Sequence, residues 1–164
     1  MENELVTTIA DRCRAQGFFL ASAESCTGGL LGHLITNLSG SSDFYLGGQI
    51  TYSNTAKQNW LGVPEQVLKD YGAVSKETVL AMAAGIRRAF SDSYPVDRII
   101  GISISGIAGP TGGTQQKPVG TVWVGCSTYQ QEQAAQFRFE GSRETIKRQS
   151  AFKALEIILA SIPA

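Results

Sequence analysis

The chain has 164 residues, with 14 basic and 14 acidic side chains and 18 glycines. That length fits one domain over residues 1–164, which would bury roughly two-thirds of the surface of the unfolded chain. A formal net charge of +0 lacks the basic surplus by which proteins bind duplex DNA or anionic membranes. No apolar run approaches the roughly 18 residues of a membrane-spanning helix. We therefore expect neither nucleic acid nor membrane as a partner.

The cysteines and the histidine bear on compartment and metal content. Cys13, Cys26 and Cys126 are odd in number and far apart, which suits a reducing cytosol better than a disulfide framework. The acidic N-terminus lacks the basic-then-apolar layout of a signal peptide. No zinc-ligand spacing is present, and one histidine is too few for a histidine-rich metal site. We predict a cytoplasmic protein that uses no metal and no cofactor.

The first half of the chain alternates between helical and strand patterns. Leu5, Ile9 and Cys13 recur at helical spacing, and Gly17 is a natural end for that helix. A short apolar run then predicts a buried strand that leads directly into a second helix. The predicted elements are a helix over 4–16, a strand over 18–23, a helix from Thr27 onward, a strand over 44–52 broken at Gly47-Gly48, and helices over 54–61 and 64–71.

The second half predicts a longer helix, a buried strand, a hairpin and a final helix. Ser75 and Ser142 are suitable N-caps for the two helices. The strand over 98–105 is the clearest in the chain, and 121–129 and 133–139 alternate around a short polar turn. Interleaved helices and strands with one antiparallel pair predict an α/β fold, a mixed, mostly parallel sheet with helices on both faces. The final helix is predicted to bury Ile146, Phe152, Leu155, Leu159 and Ile162.

The junction between the first strand and the second helix is a candidate site. Residues 24–29 read ESCTGG. The N–H groups of a helix start favour an anion or a developing oxyanion, and glycines let another group approach the backbone closely. The alternative is that Ser25 or Thr27 only caps the helix. The predicted binding residues of this turn are Cys26, Thr27, Gly28 and Gly29.

Two side chains in this turn compete for the role of nucleophile. Cys26 at a helix start could have a lowered thiol pKa, whereas Ser25 would need a base. The single histidine, His33, lies two turns further along the same helix. We expect it to point away as an ordinary, partly buried helix residue, which weakens both a Cys-His pair and a Ser-His-Asp triad.

A buried lysine can replace histidine as the base, because desolvation favours its neutral form. Lys57 has the most suggestive setting, at a second strand-to-helix junction and one turn before Trp60. Tyr52 in the same segment could hydrogen-bond into such a dyad, or could equally be a residue at the sheet edge. Lys57 itself could equally be a solvated helix lysine.

A glycine-rich loop follows the strand over 98–105. A loop of this composition exposes backbone N–H groups and suits a phosphate, although it lacks the dinucleotide fingerprint GxGxxG. The alternative is a long structural turn into the next strand. The predicted binding residues are Ser105, Gly106, Gly109, Gly112 and Gly113.

The region from 138 to 153 is locally basic in a neutral chain. Glu144 and Arg148 are spaced as a stabilising i,i+4 pair, which favours a structural role for Arg148. Arg143 lies in the first helical turn, where a cation is electrostatically unfavourable, and is the better candidate for a ligand contact. The stretch could meet substrate phosphate, a neighbouring subunit or only solvent.

Five motifs together resemble one known family. They are AESCTGG, GGQITYSNTAK, GAVSKET, SISGIAGPTGGTQQKPVGTVW and GSRETIKRQ, in this order from about residue 5 to the end of the chain. They are similar to the CinA C-terminal domain family, whose enzymatic members are nicotinamide-nucleotide amidases. The resemblance implies that Ser25 is the nucleophile and Lys57 the general base, with Tyr52 assisting.

The resemblance also implies a reaction. The expected activity is hydrolysis of the carboxamide of nicotinamide mononucleotide to nicotinic acid mononucleotide and ammonia, without a cofactor. The alternatives are a non-catalytic nucleotide-binding or competence-related paralogue, and an amidase that uses Cys26 on another small amide. We also expect a homo-oligomer, with a dimer favoured.

Overall fold

A computed structural model of the chain describes residues 2–163. Five strands and six α-helices lie within this range, together with two short 3-10 turns over 41–43 and 96–98. None of these helices is long and apolar enough to cross a membrane. The strands are β1 Phe19–Glu24, β2 Tyr45–Ile50, β3 Ile99–Gly106, β4 Thr121–Ser127 and β5 Glu132–Arg138. The helices are α1 Glu2–Gln16, α2 Leu30–Thr36, α3 Asn54–Leu61, α4 Glu65–Tyr71, α5 Lys76–Arg88 and α6 Arg143–Ser161.

The strands form one sheet in the order β2-β1-β3-β4-β5. β1 pairs in parallel with both β2 and β3, whereas β4 is antiparallel to β3 and to β5. Four of the five strands therefore point the same way and β4 is reversed. The predicted mixed α/β sheet and its β4–β5 hairpin are confirmed.

Two hydrophobic cores lie on opposite faces of the sheet, because helices cover both. α1, α2 and α6 pack on one face, where Ile9, Ile35 and Leu155 are fully buried. α3, α4 and α5 cover the other face, with Leu61 and Met82 in its core. The carboxyl ends of the parallel strands β2, β1 and β3 meet at one edge, where ligands commonly bind in sheets of this kind.

Three details of the predicted elements are wrong. α2 begins at Leu30 and not at Thr27, because Gly28 and Gly29 have φ of 61° and 99°, outside the helical region. β2 runs unbroken through Gly47-Gly48, with a register irregularity opposite Leu20 and Ala21 instead.

The last of the three concerns α6. The buried face predicted for this helix includes Phe152 and Leu159, which are only partly buried. The small residues Ser150, Ala151 and Ala154 are fully buried in their place. The fully buried positions of α6 are Ile146, Ser150, Ala151, Ala154, Leu155 and Ile158.

Candidate active site

A serine and a lysine meet at the carboxyl edge of the sheet. Ser25 directly follows β1, and its amide N–H donates to the carbonyl of Ile104 in β3 at 2.9 Å. Lys57 lies on α3, whose start is fixed by the Ser53 hydroxyl accepting from the N–H of Ala56. The Nζ of Lys57 lies 2.9 Å from the Oγ of Ser25. Residues 32 positions apart in sequence are thus within hydrogen-bond distance.

The amine of Lys57 is enclosed by protein. Its side chain is 1% exposed, and besides Ser25 it contacts the backbone carbonyls of Thr51 and Tyr52 at 2.7 and 3.1 Å. No carboxylate is among these partners. Burial lowers the pKa of Lys57 to about 8, because the charged form loses its hydration. An appreciable fraction of the amine is therefore neutral near physiological pH.

Cys26, the competing nucleophile, lies beside the dyad but is poorly suited to ionise. Burial raises the pKa of its thiol to about 11, and the nearby carboxylate of Glu24 acts in the same direction. The charges of Lys57 and Lys147 act in the opposite direction but more weakly. Since the thiolate is the reactive form of cysteine, Cys26 is mostly unreactive at neutral pH.

Glu24 organises the turn that carries Ser25. Its carboxylate is buried and accepts hydrogen bonds from the N–H groups of Gly29, Leu31 and Gly32 at 2.9–3.1 Å. The start of α2 is therefore capped by an acid from the preceding strand, and neither Ser25 nor Thr27 caps it. The N–H groups of Gly29, Leu31 and Gly32 at the helix start are therefore occupied by Glu24 and are not free for a ligand.

The remaining N–H groups of the turn fall into two sets. Gly28 donates to the carbonyl of Ser25 at 3.1 Å. The N–H groups of Cys26 and Thr27 donate to no other residue within 2–163. These two groups directly follow the serine, which is a suitable place for donors to a developing oxyanion.

The dyad opens into a cleft of about 340 Å³. Arg143 at the start of α6 bridges two of its walls, donating to the carbonyl of Gly109 at 2.8 Å and to the hydroxyl of Tyr52 at 3.0 Å. The Tyr52 side chain is 62% exposed, so it forms part of the cleft rim. The cleft is lined by Ser25, Cys26, Tyr52, Lys57, Ala73, Val74, Ser105, Gly106, Ile107, Ala108, Gly109, Thr111, Gly112 and Arg143.

Comparisons with known proteins identify the family of this chain. A family model of the CinA C-terminal domain matches residues 2–162. The chain belongs to this family. A CinA-like protein of Salinibacter ruber is 45% identical over 152 residues, which cover 93% of this chain and 35% of that protein. This chain thus spans about a third of the length of such relatives.

Relatives of similar length to this chain also exist in the CinA family. A nicotinamide-nucleotide amidohydrolase, PncC, of Enterobacter agglomerans is 42% identical over 158 residues, covering 96% of this chain and 93% of that protein. Among solved structures, a CinA superfamily protein of Klebsiella pneumoniae superposes with a TM-score of 0.90 at 34% identity, covering 99% of this chain and 98% of that one. A competence or damage-inducible protein of Enterobacter asburiae gives a TM-score of 0.91 at 32% identity, covering 99% of both chains.

Most of the residues predicted for the CinA-type site line one cleft. Those that do not are Thr27, Gly28, Gly29 and Gly113, which the structure places outside the lining. Ser105 lines the cleft, but its hydroxyl donates to the carbonyl of Ala73 at 2.7 Å.

Two further side chains differ from their predicted settings. His33 is exposed and contacts Asn37, so it is apart from the dyad and not partly buried. Arg148 pairs with Glu2 at 3.0 Å and forms no salt bridge with Glu144, because α1 packs against α6.

Sequence reasoning missed several participants in the CinA-type site. Thr51, Ala73 and Val74 lie within the motifs GGQITYSNTAK and GAVSKET, but they contribute a backbone carbonyl and a cleft wall, which their side-chain types do not indicate. For Glu24, an acid at the end of a buried strand and shortly before two glycines is a signal in the sequence that could have identified the cap. Within 2–163, no group of three or more histidine, cysteine or acidic side chains is placed to hold a metal ion.

Proposed function

We propose that this protein hydrolyses the carboxamide of nicotinamide mononucleotide, with Ser25 as nucleophile and Lys57 as base. The contact between Lys57 Nζ and Ser25 Oγ at 2.9 Å carries the proposal. The name of the similar Enterobacter agglomerans protein supports the substrate class. The products would be nicotinic acid mononucleotide and ammonia.

The partners of Lys57 fit a neutral amine, which is the form that can act as a base. A neutral amine has two N–H donors and one lone pair, whereas an ammonium has three donors. The carbonyls of Thr51 and Tyr52 can only accept, so they take the two N–H groups of the neutral form. The lone pair then faces Ser25, whose hydroxyl donates to it. This is the arrangement that a general base needs before attack.

The reaction follows from this arrangement. Ser25 Oγ attacks the carboxamide carbon while its proton passes to Lys57 Nζ. The N–H groups of Cys26 and Thr27 hold the oxyanion, and the protonated Lys57 gives its proton to the departing ammonia. Water then attacks the acyl-enzyme with Lys57 again as the base, which releases the carboxylic acid and restores Ser25.

Tyr52 and Arg143 define the opening of the cleft in this proposal. The carbonyl of Tyr52 holds the base, and its hydroxyl accepts from Arg143. In the glycine-rich loop, the N–H groups of residues 108, 109 and 111–113 donate to no other residue within 2–163, so they supply further hydrogen-bond donors for the nucleotide. Ser105 fixes the neighbouring wall through Ala73.

Ammonia release from nicotinamide mononucleotide tests the proposal. We expect turnover by the wild type, a loss of roughly a thousandfold or more in Ser25→Ala and Lys57→Ala, and activity within a fewfold of wild type in Cys26→Ala. Cys26 is the matched control because it adjoins Ser25 in the same turn. A wild-type protein that binds the mononucleotide and releases no ammonia would instead be a non-catalytic nucleotide-binding paralogue. Activity lost in Cys26→Ala and kept in Ser25→Ala would show that Ser25 is not the nucleophile.

A further inference from the structure

The basic stretch near the start of α6 has partners for most of its cations. Arg143 donates to Gly109 and Tyr52, Arg148 pairs with Glu2, and Lys153 pairs with Glu156 at 2.6 Å. The amine of Lys147 makes no hydrogen bond or ion pair within residues 2–163. An ammonium that is half-buried and without an acidic partner is available for an anion from outside the protein.

Lys147 lies against the turn that carries the nucleophile. Its Nζ is 3.7 Å from the point where a side chain on Gly28 would begin. It is also close enough to influence the thiol of Cys26, the residue after Ser25. The side chain therefore reaches from α6 to the turn, although it does not line the cleft that contains Ser25 and Lys57.

The surroundings of Lys147 form a second cleft that adjoins the first. This cleft of about 490 Å³ lies between α2 and α6, with Leu30, Leu34 and His33 on the α2 side. Arg143 lines both clefts, so they meet at that residue. Glu144 and Arg148 also line the second cleft, and the charge of Glu144 acts on Arg148.

We infer that Lys147 binds the phosphate of the mononucleotide, which would place the substrate across both clefts with its carboxamide at Ser25. The inference rests on the proposed function for the identity of the substrate. The carboxamide and the phosphate are different ends of a mononucleotide, and Ser25 lines one of the two adjoining clefts while Lys147 lines the other. The sequence predicts Arg143 and the glycine-rich loop as ligands of the phosphate. Two N–H groups of Arg143 already donate to Gly109 and Tyr52, whereas the amine of Lys147 has no such partner within residues 2–163.

Binding of two ligands that differ only by the phosphate tests this role. Nicotinamide mononucleotide and nicotinamide riboside are titrated calorimetrically into Ser25→Ala protein, with and without Lys147→Met. We expect Lys147→Met to weaken mononucleotide binding roughly ten- to a hundredfold, as for the loss of a charge-assisted hydrogen bond, and to leave riboside binding unchanged. Lys147→Arg, which keeps the charge, should restore most of the affinity. Lys153→Met on the same helix is the matched control, expected to change neither affinity.

The outcomes separate this inference from the proposed function. Equal weakening of both ligands, or unchanged mononucleotide affinity in a folded Lys147→Met protein, overturns the role of Lys147. Absence of ammonia release from the wild type overturns the hydrolysis alone, because the binding measurement needs no turnover. A thermal unfolding midpoint equal to that of the parent shows that Lys147→Met protein is folded.

Discussion

Two glycine-rich segments follow neighbouring parallel strands and differ in how they use their backbone. The turn over 24–29 follows β1, and the loop over 106–120 follows β3. In the turn, the buried carboxylate of Glu24 takes the N–H groups at the start of α2. In the loop, Ile107 and Gly120 are tied to the hairpin, whereas the N–H groups of residues 108, 109 and 111–113 donate to no other residue in the described part of the chain.

The difference shows that a cluster of glycines does not by itself identify a ligand site. What matters is whether an internal acceptor already takes the N–H groups that the glycines expose. The turn has such an acceptor, so its glycines mainly fix the path of the backbone that carries Ser25. The loop lacks one, so its donors remain available at the wall of the cleft. Substitutions in each of the two segments test this contrast.

The largest effect is expected from two glycines of the loop that share the same backbone angle. Gly112 and Gly120 both have φ of 90°, so alanine is strained at either position. A side chain at Gly120 would also overlap the carbonyl oxygen of Phe139, whereas at Gly112 the nearest atom belongs to Ile107, 3.7 Å away.

We expect Gly120→Ala to lower the free energy of unfolding by about 3 kcal/mol or more, and Gly112→Ala by about 1 kcal/mol. Urea denaturation of both variants measures the difference. Equal losses would contradict the view that Gly120 anchors the loop to the hairpin while Gly112 faces the open cleft.

The stability of the turn over 24–29 should depend on the carboxylate of Glu24. Glu24→Gln removes the charge that accepts three backbone N–H groups and turns an amide NH₂ toward some of them. We expect the free energy of unfolding to fall by about 2 kcal/mol, since hydrogen bonds to a buried charge contribute more than neutral ones.

Glu65 is the matched control for this substitution. It also lies in the first turn of a helix, but it is exposed and pairs with Lys69 at 2.8 Å. Glu65→Gln should cost no more than about 0.5 kcal/mol. If both variants lost equally little stability, Glu24 would not be what holds the turn.

Local patterns predicted the elements better than they predicted the site, where the pairing of Ser25 with Lys57 came from the family resemblance. Helical spacing, caps and glycines act over a few residues, which is why α1, β3 and the hairpin were found near their observed bounds. Glu24 was missed because it accepts from N–H groups five to eight residues away, beyond the spacing of a capping box. The contact of Arg143 with Tyr52 joins residues 91 positions apart, and no local pattern encodes it.

The activity should change gradually with pH. Lys57 must be neutral to accept the proton of Ser25, and burial lowers its pKa to about 8. Below that pH we expect kcat to fall about tenfold per pH unit, with a plateau above it. Steady-state rates measured from pH 6 to pH 9.5 give the slope of this fall and the pH at which it begins. Lys117→Met, in the glycine-rich loop, is the control. It should leave the pH at which the rate falls unchanged, because the amine of Lys117 contacts the carbonyl of Tyr71 and not the dyad.

Stability measured over the same range separates ionisation of the base from unfolding. The pKa of Lys57 is lowered from 10.5 in the unfolded chain to about 8 in the folded protein, so the unfolded chain binds more protons between these values. The contribution of Lys57 to the free energy of unfolding therefore rises with pH from about 8 to 10.5 and is constant below about 8. A loss of activity between pH 8 and 6 without a matching change in the free energy of unfolding thus reports protonation of the base. A flat rate profile across this range would show that no group with the lowered pKa of Lys57 limits the reaction, and that the dyad does not act as proposed.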